Sequence, residues 1–159
     1  MKIRIWLALI IFGMIACGKD KFETVPQLTL KSITPKAPDA VDPVKNPNNL
    51  RINIEYTDKE GDVSDSLFIV RQRLNVSDKL KLRQVLLYDV PDFPHTDKGE
   101  FEITLEYQFA LILNLLPLRI PGSNPVKNEI DTLRLKIVAK DKAGNKSDTL
   151  VIDNVYVIR

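Results

Sequence analysis

Residues Asp58-Lys59-Glu60-Gly61-Asp62 set three carboxylates around a glycine. Hard oxygen donors gathered on a glycine turn are what a Ca²⁺ ion needs, so Asp58, Glu60 and Asp62 are candidate metal ligands. The pattern is not an EF-hand, because the flanking helices and the bidentate glutamate at the end of the loop are missing. A second acid-bearing turn, Asp141-Lys142-Ala143-Gly144-Asn145, precedes the last apolar segment. Asp, Asn and Gly also satisfy turn backbones with no ion present. Lys59 and Lys142, interleaved among the acids, oppose a cation.

Other chemistry is sparse. His95 is the only histidine, so no histidine-based zinc cluster can be assembled. A Ser-His-Asp triad would want a nucleophile elbow such as G-x-S-x-G, and none occurs. Nothing in the pattern selects two carboxylates for glycosidase work. The expectation is therefore no enzyme and no catalytic residues. A hydrolase or carbohydrate-processing enzyme is the alternative.

Cys17 is the only cysteine, which excludes an intrachain disulfide. It stands at the end of a short basic segment (Lys2, Arg4) and an uncharged run from Ile5 to Ala16. A spanning helix needs about 20 apolar residues. This run is only about a dozen long, the length of a signal-peptide core. Met14-Ile15-Ala16-Cys17 resembles a lipobox, in which the cysteine thiol receives diacylglycerol and becomes the new N-terminus. Residues 1–16 are thus expected to be a signal peptide and 17–26 a lipidated tether. Gly18 replaces the aspartate that retains lipoproteins at an inner membrane, so the expected place is the cell envelope, most simply the outer membrane. Covalent lipid on Cys17 is the only cofactor expected besides the Ca²⁺ candidate.

Cleavage removes Lys2 and Arg4 from the 23 basic residues, leaving 21 against 21 acidic ones. A neutral chain has no global field with which to gather nucleic acid. The oddest stretch is Ala110 to Ile120, which keeps neither the strand nor the helix period. Leu111 and Leu113 are expected to complete a buried strand. Leu115, Leu116 and Leu118 are expected to turn outward after Asn114 as contacts for a partner, another envelope protein. Asp65-Ser66-Leu67, Asp131-Thr132-Leu133 and Asp148-Thr149-Leu150 share the form Asp-Ser/Thr-aliphatic. That form resembles the periplasmic O-glycosylation signal of Bacteroidota and makes Ser66, Thr132 and Thr149 candidate acceptors.

The elements that must position these residues are strands. Gln27 to Ile33 reads as the first, followed by a proline-rich surface connection to Asn49. Ile52, Ile54 and Tyr56 alternate with polar residues, as half-buried strands do. Strands are also expected over Leu67–Leu74, Leu82–Val90, Phe101–Phe109, Leu133–Ile137 and Thr149–Ile158. About seven short strands between Gly/Pro/Asp/Asn turns, with no amphipathic helix, predict an all-β, immunoglobulin-like antiparallel sandwich over residues 27–159. A β-barrel is the runner-up.

Two runs carry a family resemblance: Tyr56-Thr57-Asp58-Lys59-Glu60-Gly61-Asp62-Val63 and Lys140-Asp141-Lys142-Ala143-Gly144-Asn145-Lys146-Ser147. They resemble the acidic turn and the Lys-Asp-Arg-Ala-Gly-Asn-Lys-Ser run of small Bacteroidota lipoproteins with an Ig-like domain. The resemblance covers roughly Leu50 to Arg159 and implies envelope location and fold, not mechanism. Lys59 and Glu60 depart from the family's usual Gly-Asp. The expected function is a non-enzymatic binding or accessory module, attached to a membrane by lipid.

Overall fold

A computed structural model describes residues 24–35, 43–75 and 83–159. Cys17, the signal segment and most of the tether lie outside the described residues.

The strands are β1 (Gln27–Thr34), β2 (Leu50–Thr57), β3 (Ser66–Arg73), β4 (Arg83–Asp89), β5 (Lys98–Leu105), β6 (Asp131–Lys140) and β7 (Leu150–Val157). They form two antiparallel sheets, ordered β1-β2-β5 and β4-β3-β6-β7. This is the expected sandwich. The fourth strand lies beside the third, whereas in a constant-type immunoglobulin domain it joins the sheet of the first two.

Period-two patterning builds the core. Leu50, Ile52, Ile54 and Tyr56 of β2 point inward, as do Leu133, Leu135, Ile137 and Ala139 of β6. Each fully buried Leu or Ile contributes roughly 1.5–3 kcal/mol from its removal from water. Tyr56 stacks on Phe101 at 4.6 Å between ring centroids. The proline-rich connection is not wholly on the surface. Val44 is fully buried and bridges β7 through Val44 N–H to the Tyr156 carbonyl and Ile158 N–H to the Val44 carbonyl.

The expected strand Phe101–Phe109 stops at Leu105. Its ladder partner β2 begins at Leu50, opposite Leu105, so residues beyond have no neighbouring strand to bond. The backbone satisfies itself instead in a single π-helical turn, Tyr107–Leu111. Leu111 N–H donates to the Glu106 carbonyl and Ile112 N–H to the Tyr107 carbonyl, both at 3.1 Å. Tyr107 anchors the turn, donating its hydroxyl to the Ile158 carbonyl at 2.6 Å. Phe109, expected inside, is thrown outward and 67% exposed.

Candidate functional sites

The two acidic turns, 83 residues apart from Asp58 to Asp141 in sequence, meet at one end of the sandwich. They are bonded directly, Lys142 N–H donating to the Asp62 carbonyl at 3.2 Å. Asp58, Asp62 and Asp141 each bring one carboxylate oxygen within 4.8 Å of the others. Asp58 and Asp141 are buried. Asp58 Oδ2 accepts from Asp62 N–H, while Oδ1 of Asp58 and Oδ1 of Asp62 are buried with no hydrogen-bond partner. Burial pushes the Asp58 carboxyl above its ordinary range. Asp141 is held by its own turn, accepting from Asn145 N–H at 2.7 Å and Asn145 Nδ2 at 2.9 Å.

The ligand set expected from sequence is thus corrected in one member. Glu60 is exposed and outside the cluster, because the turn that buries Asp58 and Asp62 points the intervening side chain to solvent. Asp141 takes its place. Lys142 does not face the cluster, since its ammonium pairs with Asp92 at 2.8 Å. Gly61, at φ +66°, lets the first turn close: a Cβ there would lie 2.8 Å from the Thr96 backbone nitrogen. Three oxygens of this kind would suit a hard cation such as Ca²⁺.

A second constellation was not expected at all. Arg71 and Arg73 sit at inward positions of β3, 1% and 4% exposed. Arg71 donates to the carbonyls of Ala110 and Leu113, both at 2.8 Å, and Arg73 to that of Leu116 at 2.8 Å. Arg159 donates to the Leu115 carbonyl. Asp131, fully buried, pairs with Arg73 Nη2 at 2.6 Å and Arg159 Nε at 2.7 Å. Burial, then the charges of Arg73 and Arg159, lower the Arg71 pKa to about 10, with Asp131 opposing them. Charged donors make strong hydrogen bonds, so this cluster fixes the irregular segment from Ala110 to Leu116.

The clamp decides which leucines face water. Leu111 is buried as expected, but Leu113 is 40% exposed. Asn114 adopts φ 60°, a left-handed conformation that asparagine tolerates, and reverses the direction of the chain. Leu115 therefore turns inward, 5% exposed, contrary to its expected role as a partner contact. Leu116 is 80% exposed and Leu118 half-buried. Beside the segment, Val85, Leu87, Phe109 and Glu106 border a cavity of about 390 Å³ between β4 and the π-turn. A second, of about 310 Å³, lies further along the same seam between Tyr88 and Phe101. The acid displaced upward in pKa, Asp58, lines neither cavity.

The remaining candidates are dispersed. His95 is exposed, its Nδ1 3.3 Å from the Glu60 carbonyl. Ser66 is buried and its hydroxyl donates to Asp65, so the folded domain shields it from glycosylation. Thr132 is half-buried in β6, whereas Thr149 is exposed just before β7. The fold is that of an all-β sandwich domain. Compared with protein-family models, curated proteins and solved structures, the chain matches none of them.

Proposed function

We propose that this chain is a non-enzymatic binding module of the cell envelope, carried on a lipid anchor at Cys17, most simply in the outer membrane. One observation carries the binding reading: a buried arginine cluster holds a segment whose side chains Leu113 and Leu116, beside exposed Phe109, face solvent. Fixing apolar side chains in one conformation before contact lowers the entropy lost on binding, which is what an interaction surface requires. A few such anchors supply most of the energy of an interface. The partner is another envelope protein, met by this apolar ridge. A structural Ca²⁺ at Asp58, Asp62 and Asp141 belongs to the same reading, as a brace between two turns.

The experiment is co-purification of the acylated full chain from native envelopes, with Phe109→Asp and Leu116→Asp compared with wild type. Loss of a stoichiometric partner at unchanged melting temperature supports the ridge, and retention of the same partner by both variants overturns it. Lipid attachment is tested separately by radioactive palmitate, which should label wild type and not Cys17→Ala.

A further inference from the structure

Each sheet of an open sandwich ends in strands with unpaired backbone groups, and natural proteins blunt such edges. Among the described residues four strands lie at sheet edges, and three of them show a device for this. β1 is broken by a bulge between Leu30 and Ser32, beside Lys31. β5 carries Lys98, Glu100 and Glu102 on its exposed positions. β7 is covered in part by the bridge from Val44. β4 is the least protected: it has no proline or bulge, its charged side chains Arg83 and Asp89 stand only at its two ends, and it pairs with β3 in unbroken register. Its outward side chains Val85 and Leu87 are 62% and 60% exposed.

The hydrogen-bond phase of that edge follows from its neighbours. Val90 N–H donates to the Asp65 carbonyl, so Gln84, Leu86, Tyr88 and Val90 direct their backbone groups to β3. Arg83, Val85, Leu87 and Asp89 direct theirs outward. These four positions are self-complementary. An antiparallel pair of β4 strands centred on Leu86 sets Arg83 against Asp89 and Val85 against Leu87, each twice. Every outward N–H and C=O then meets a partner, because each such pair exchanges both main-chain bonds. Arg83 and Asp89 are both exposed and enter no ion pair among the described residues. A one-step slip would place outward backbone groups opposite inward ones, so the hydrogen bonds and the charges select the same register.

We infer that β4 is the dimer interface of this protein, pairing with β4 of a second copy about a two-fold axis through Leu86 to join two four-stranded sheets. Isologous contact of one patch with itself is the commonest route to a closed oligomer. Like-sign charges placed directly opposite each other across strands are destabilising, which makes the register testable on the surface alone.

Light scattering of the acylated full chain in detergent should give twice the protein mass of the monomer. Arg83→Asp and Asp89→Arg should each return it to monomer, and the double exchange should restore the dimer. Folding is untouched in these variants, because both side chains lie on the exposed edge. In a Cys17→Ala full chain, Leu86→Cys should cross-link to itself on mild oxidation, since directly opposed residues of a non-hydrogen-bonded pair lie about 4.5 Å apart at Cα. Gln84→Cys, opposite Tyr88, should not. A wild-type monomer, insensitivity to the charge exchanges, or equal cross-linking at position 84 overturns the inference. So does a monomer whose β4 edge is occupied by a strand of a different protein. Phe109→Asp should leave the dimer intact, which separates this interface from the apolar ridge.

Discussion

Replacing Asp131 by asparagine removes one negative charge and almost no volume. The carboxylate is fully buried and touches Arg73 at 2.6 Å and Arg159 at 2.7 Å. With charge centres about 4 Å apart and an effective dielectric near 20, each pair gains about 4 kcal/mol, or about 8 kcal/mol together. The cost of burying the carboxylate, several kcal/mol, offsets part of that. Asparagine keeps one acceptor oxygen but leaves Arg71, Arg73 and Arg159 facing one another with no opposing charge. Breaking a buried pair from one side costs about 3–5 kcal/mol. That is a large share of the roughly 5–15 kcal/mol by which domains are stable. At about 1–3 kcal/mol per molar urea, the unfolding midpoint should fall by about 2 M. Equilibrium urea melts followed by circular dichroism measure it. A loss under about 1 kcal/mol at unchanged slope would refute the account of the clamp. Adding Arg73→Met to Asp131→Asn should then cost less than the separate losses combined, because the two residues share one interaction.

Leu115→Asp should unfold the domain by burying an unpaired charge, while Leu116→Asp, on the exposed neighbour, should shift stability by within about 0.5 kcal/mol in thermal melts. Millimolar Ca²⁺ against chelator should raise the melting temperature of wild type in proportion to occupancy and leave Asp58→Asn unmoved; equal melts for wild type would reduce the cluster to turn chemistry. The acid limb of the stability curve follows from carboxylates held below their ordinary range by hydrogen bonds: Glu55 by Lys31 and Lys98, Asp65 by Lys140, Asp92 by Lys142 and Asp153 by Arg134. Their folded pKa values lie under the unfolded ones near 4, so their stabilisation is present above about pH 4 and lost as pH falls through the lower folded values. Asp92 and Asp153 are exposed and Glu55 and Asp65 only half-buried, so the decline in urea midpoint as pH falls below about 4 should be gradual and salt-sensitive.

Strands β2, β5 and β6 were legible because an inner face and a wet face alternate along them, and the sandwich followed from their number. The same rule misled at Phe109, where alternation persists past the point at which β2 can offer a partner. It also concealed the clamp. Arg71 and Arg73 continue the inward phase of Leu67 and Ile69, yet arginine is so seldom buried that phase alone did not announce it. Asp131 likewise heads the inward row of β6. For the acidic cluster, both turns were visible in sequence as separate features. Their meeting depends on the β2–β3 and β6–β7 connections falling at the same end of the sandwich, a property of topology that no local pattern contains.

Thr24 presents its carbonyl to Asn145 Nδ2 at 3.2 Å, so the chain enters the domain beside the acidic turns. From Cys17 to Thr24 an extended backbone reaches about 25 Å. A lipid on Cys17 would therefore moor the molecule by that end, close to the bilayer. Two copies joined through antiparallel β4 strands point these ends in opposite directions. Both moorings can reach one membrane only if the strands lie along its plane, so the dimer would rest on the bilayer like a raft tied at both ends, with one face of the joined sheets turned to the lipid.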